Sequence, residues 1–122
     1  MHVWRLRPGG EFERVRQNGR SWPHRLLVLI IQPRLDAPTD PPRIAVAAGK
    51  RLGKAVVRNR IKRQLREAIR SVYRNIVPGL DLIVMARAPI VDESVASITA
   101  ALAETLRRAE VWRDSSAGSN EA

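Results

Sequence analysis

The 122 residues carry a formal net charge of +10, from 22 lysines and arginines against 12 carboxylates. That balance points to a nucleic-acid partner first and an anionic membrane surface second, and the length suits one domain with one modest core. The absence of cysteine excludes a disulfide, a thiolate zinc site and a thiol nucleophile.

Met1 to Gly10 reads as a basic, irregular arm without the apolar stretch of a signal peptide. No apolar run reaches the length of a membrane span, so a cytoplasmic protein with no membrane partner is the expectation. Glu11 to Asn18 suits a short helix ending at Gly19 in a left-handed cap. Phe12 and Val15 share one face of it, and packing onto the core is the plain role for that face.

Leu26 to Ile31 is a continuous apolar run and reads as a strand buried on both faces. Gln32 to Pro42, with four prolines and two aspartates, reads as a mobile loop whose negative charge disfavours RNA. Arg43 to Ala48 reads as a second strand. Ile44, Val46 and Ala48 share one side of it. Arg43, Ala45 and Ala47 share the other, which is small enough for close approach.

Gly49 to Lys54 is a basic loop able to form a backbone concavity for phosphate, without the Gly-Lys-Ser/Thr of a P-loop. A helix follows from about Ala55 to about Asn75. Val57, Ile61, Leu65, Ala68, Ile69, Val72 and Ile76 fall within an arc of about 120°. Val56, Ile61, Leu65 and Ile69 are expected in the core. Arg60, Lys62, Arg63, Arg66, Arg70 and Arg74 spread over the other side, interrupted only by Glu67, expected to pair with Arg63 or Arg70. So many like charges repel one another, which makes a polyanion the natural partner.

Pro78-Gly79 breaks the chain, and Leu80 to Arg87 reads as a third strand. Asp92 is the expected N-cap of a last helix with Val91, Val95, Ile98, Leu102, Leu106 and Ala109 on its packed face and Trp112 closing the end. Residues 1–113 then form one domain, and 114–122 a disordered tail. A strand, helix and strand in this order normally cross over right-handedly.

No catalytic constellation is evident. His2 and His24 lie far apart, the carboxylates are scattered, and Asp92-Glu93 reads as charge at a helix N-terminus. Asp81 and Glu67 alone, on ordered elements, are too few to hold Mg²⁺ beside a scissile phosphate.

The run Arg58-Asn59-Arg60-Ile61-Lys62-Arg63, after Gly49-Lys50-Arg51-Leu52-Gly53 and Ala55-Val56, resembles the signature of the bacterial ribonuclease P protein component. Phe12, Val15 and Gly19 upstream and Asp81 to Arg87 downstream extend the resemblance over roughly nine tenths of the chain. It implies a single α/β, sandwich-like domain in the order α-β-β-(β)-α-β-α, with an unusual left-handed crossover. It also implies an endoribonuclease whose catalysis lies in an RNA subunit that holds the Mg²⁺, the protein having no active site, no metal of its own and no small-molecule substrate. The implied partners are that catalytic RNA and precursor tRNA, which is cut to leave a mature 5′ end.

On this resemblance, Arg58, Arg60, Lys62, Arg63, Arg66 and Arg70 contact RNA phosphates, extended by Lys50, Arg51 and Lys54. Asn59 caps or orients the helix start, or hydrogen-bonds RNA or a hydrated metal ion. Phe12 would face a cleft for the single-stranded 5′ leader. Arg16 stands where relatives often carry a second aromatic, and Ile30 where some carry an aromatic strand residue. Serine is frequent at the place of Gly49. The alternatives are a ribosomal-type structural RNA-binding protein, which has no reason to carry this signature, a stand-alone nuclease, which would need a carboxylate cluster this sequence lacks, and a helix-turn-helix protein, which would need a short, tightly spaced helix before the basic one.

Overall fold

The computed structural model describes residues 4–114; of the tail expected at 114–122, all but the first residue lies outside them. The elements are β1 (Trp4–Arg5), α1 (Gly10–Asn18), β2 (Arg20–Pro23), β3 (Leu27–Pro33), β4 (Arg43–Ala47), α2 (Ala55–Val72), β5 (Leu80–Ala86) and α3 (Val95–Arg108). Short 3₁₀ turns lie at Lys50–Leu52, Tyr73–Asn75 and Ala88–Asp92.

The five strands form one mixed sheet in the order β1-β4-β5-β3-β2. β4 runs parallel to β1 and β5, while β3 is antiparallel to β5 and β2. From α1 onward the order is the expected one, with β2 as the optional strand; only β1 goes beyond it. The arm contributes the two-residue β1, and β2 forms a hairpin with β3 through Trp22↔Leu29. Both are short and polar, so strand alternation hardly shows in them.

Alternation explains the layers. Leu27, Leu29, Ile31, Ile44, Leu82 and Val84 face one side, where Ile61, Leu65, Ile69 and Val72 of α2 and Ile98, Leu102 and Leu106 of α3 cover them. Ile30 and Ile83 face the other side, beneath Leu6 of the arm and Val15 of α1.

The crossover hand follows from chirality. Ile44 points its side chain to the α2 layer, while its carbonyl accepts the Leu6 N–H at 3.1 Å on the β1 side. For an L-residue those two directions place β5 to the left of an upward β4 when α2 faces the viewer. The β4–α2–β5 crossover is therefore left-handed, against the common rule. Leu27 gives the same answer: its side chain faces the α2 layer and its carbonyl accepts from His24 of the β2 side.

Four local expectations are corrected. Gly19 is extended (φ −76°), not left-handed; glycine is needed because a Cβ would stand 2.6 Å from the Val15 carbonyl and 2.7 Å from Ile30 Cγ2. Val56 is 80% exposed, not core, because it stands about 100° around the helix from Val57, off the apolar arc. Asp92 is taken up by the 3₁₀ turn after Arg87, and Ser94 caps α3 instead, its Oγ accepting the Ser97 N–H at 3.1 Å. α2 ends at Val72, the last turn tightening to 3₁₀. Trp112 does close the far end, bridging to Ile76 under a stacked Arg107.

Candidate nucleic-acid interface

The basic loop folds as a single 3₁₀ turn, with Leu52 buried beneath it and Lys50 and Arg51 exposed. Gly53, at φ +133°, turns the chain into α2, and Lys54 precedes the first helical residue. No side chain caps the N-terminus of α2, and no acid lies in its first turn. Arg58, Lys62, Arg66 and Arg70 then follow at four-residue steps along one side, with Arg60 and Arg63 beside them.

None of the nine cations (Lys50, Arg51, Lys54, Arg58, Arg60, Lys62, Arg63, Arg66, Arg70) makes an ion pair among the described residues. Only backbone carbonyls hold two of them. Arg58 Nε donates to Gly53 O at 3.2 Å, and Arg60 Nη2 to Val91 O at 3.0 Å. Glu67 pairs with neither Arg63 nor Arg70, contrary to expectation; an exposed pair contributes too little, about 0.3–0.5 kcal/mol, to hold two long side chains still. Asn59 does not cap the helix, since α2 begins at Ala55 and places it in the second turn, exposed beside Arg60.

Lys62, Arg66 and Arg70 form one wall of a cleft of about 890 Å³ that opens over the β4 edge. Arg5, Arg7 and Phe12, from β1, the arm and α1, form the other wall. Ala45, Ala47 and Met85 supply the sheet surface between them. Among the described residues, no carboxylate lines it. The crowding of like charge shows at Arg66, whose guanidinium is pushed below its usual pKa by burial and then by the charge of Arg5. A channel with apolar and aromatic surface between cationic walls suits a single nucleic-acid strand, with bases inside and phosphates at the rims.

Of the three side chains tied to leader contact, the structure brings only Phe12 to the cleft, half-buried. Arg16 projects from α1 outside it and pairs with Glu13 at 2.8 Å, both exposed. Ile30 is corrected to core: alternation turns it under α1, 5% exposed, against Leu6, Val15 and Ile83. Arg5 and Arg7 were missed. The basic arm was visible in the sequence, but its pairing with β4, which carries them to the rim, rests on two residues.

A second group of charges gathers around Asp81 and the first turns of α1, and there arginines and carboxylates pair with one another. Asp81, 0% exposed, accepts from Arg43 Nε and Nη2 at 2.9 Å each and from Arg14 Nη2, with Arg34 Nε at 3.9 Å. Arg43 Nη1 donates to Glu11 Oε2 at 3.0 Å, and Glu11 Oε1 accepts the Arg7 N–H at 3.0 Å. That backbone N–H, helped by Arg43, holds the Glu11 carboxyl below its usual range, and Asp81 holds Arg43 above its own. Among the described residues no three His, Asp or Glu side chains converge to hold a metal ion.

The family model described as ribonuclease P matches residues 2–110. The ribonuclease P protein component of Herpetosiphon aurantiacus is 44% identical over 110 residues, spanning 90% of this chain and 87% of the relative. That of Geobacillus kaustophilus is 39% identical over 86% and 85% of the two chains. The Staphylococcus aureus RNase P protein structure superposes with a TM-score of 0.79 at 30% identity, over 92% of this chain and all of the other. The Thermotoga maritima RNase P protein gives 0.75 at 25% identity, over 85% and 96%. Matched in sequence and in fold over most of its length, the chain belongs to the ribonuclease P protein family.

Proposed function

We propose that the chain binds the catalytic RNA of ribonuclease P through the Lys50–Arg70 surface and receives the single-stranded 5′ leader of precursor tRNA in the adjoining cleft. The observation that carries this is the continuity of nine cations, without an ion pair among the described residues, with a cleft that no described carboxylate lines and that holds the half-buried Phe12 ring. The α2 surface neutralises phosphates where two polyanions meet, and each neutralised phosphate releases counterions. Phe12 offers a sequence-tolerant stacking surface, and Arg5, Arg7, Lys62, Arg66 and Arg70 hold the strand's backbone. Precursor differs from product by the leader, so the cleft is where the two are told apart.

Hydrolysis of the phosphodiester belongs to the RNA subunit and its Mg²⁺. The protein's contribution is charge and position, exerted in the cytoplasm, where its substrate is made. A ribosomal-type role without cleavage is disfavoured by the family match.

The test is the affinity of the reconstituted holoenzyme for precursor and for mature tRNA. The expected result is tighter binding of precursor, with the difference shrinking as the leader is shortened. Equal affinity for both would overturn the assignment of the cleft.

A further inference from the structure

Asp81 does not line the cleft, yet through Arg14 and Arg43 it is tied to α1 and the arm, which form one cleft wall; its more distant neighbour Arg34 lies beyond β3. Arg14 and Glu11 come from α1, on either side of Phe12 in sequence. The Arg7 N–H comes from the arm. Arg43 lies opposite Asp81 in the β4–β5 register and joins the two halves. α2, the other wall, contributes nothing to this network.

We infer that Asp81 is a positioning residue for the leader cleft: through Arg14 and the Arg43–Glu11–Arg7 relay it fixes α1 and the arm, and hence Phe12, Arg5 and Arg7, at a set distance from α2. This rests on the proposed leader reading and adds what sets the width of the cleft. A buried carboxylate with three arginine neighbours is well suited to the task. Its bonds are directional, and they are screened by salt far less than the exposed contacts to RNA. Stacking on Phe12 needs the opposite wall near enough to hold the strand, so a loosened α1 loses leader contact while α2 still binds the RNA subunit.

The test uses holoenzyme reconstituted with Asp81→Asn and, separately, Glu11→Gln. Asn keeps the volume and one acceptor at Asp81. Glu11 lies at the outer end of the relay, its side chain 32% exposed, so its removal leaves the buried pairs intact. The expected result for Asp81→Asn is an affinity for the RNA subunit within about twofold of the original, and a preference for precursor over mature tRNA lowered about tenfold. Glu11→Gln should lower the preference in the same direction by a smaller factor. Should Asp81→Asn fail to fold, Glu11→Gln decides alone. An unchanged preference, or a parallel loss of RNA-subunit affinity, would overturn the inference. Absence of any preference in the unsubstituted protein would remove the leader reading itself, and this inference with it.

Discussion

The arginines around Asp81 and the cations of α2 are the same chemistry put to opposite uses. Around Asp81, three arginines (Arg14, Arg34, Arg43) meet three carboxylates (Asp81, Glu11, Asp40), and the charge is consumed inside the protein. Along the Lys50–Arg70 surface, nine cations meet none among the described residues. Folding depends on the first group, because removing one partner strands a buried charge. RNA affinity is expected to depend on the second, whose solitary charges add nothing to the fold. Net charge alone would not distinguish them; pairing does.

The largest expected break in this contrast is Arg43→Ala. It leaves Asp81 with Arg14 and distant Arg34, and should cost about 3 kcal/mol of stability in urea denaturation. The salt dependence of RNA binding should keep its slope, since Arg43 lies outside the proposed RNA surface and is paired with Asp81 and Glu11. Arg63→Ala with Arg70→Ala should do the reverse. Both residues are exposed and unpaired, so stability should stay within about 0.5 kcal/mol. Affinity for the RNA subunit should fall by about 2 kcal/mol, and the slope of log affinity against log salt should flatten by roughly 2. A stability loss in the double variant would show that the two regions are not separable.

Phe12→Ala sharpens the contrast from the cleft side. It should weaken precursor binding by about 1–2 kcal/mol and leave mature tRNA unaffected, measured as a difference between the two ligands. Equal losses for both would assign Phe12 to packing alone. The smallest effect belongs to Val56→Ser, which should change the urea midpoint by less than about 0.5 kcal/mol, since the side chain is 80% exposed.

Much of this was legible in the sequence where periodicity is strong. The apolar arc of α2 predicts Ile61, Leu65, Ala68, Ile69 and Val72 as core, and all are buried. The small face of β4, with Ala45 and Ala47, is where the cleft opens. What stayed hidden depends on long-range pairing. β1 is two residues long and has no pattern of its own; its place beside β4 is what brings Arg5 to Arg66. Ile30 occupies a strand position that alternation alone cannot assign to groove or core, because α1 decides which part of that sheet face is covered. Asp81 reads as a stray carboxylate at a strand start; only the fold gathers Arg14, Arg34 and Arg43 around it from three separate segments. The left-handed crossover is absent from local pattern altogether and came from the resemblance, now supported by the Ile44 and Leu27 geometry.

The most direct test of the division between protein and RNA is reconstitution. Purified protein, cognate ribonuclease P RNA and precursor tRNA are combined at low Mg²⁺, and cleavage is compared with protein alone and RNA alone. Cleavage to a mature 5′ end only in the mixture is the predicted result, placing charge and position in the protein and chemistry in the RNA. Cleavage by the protein alone, or a mixture no faster than the RNA by itself, would contradict it.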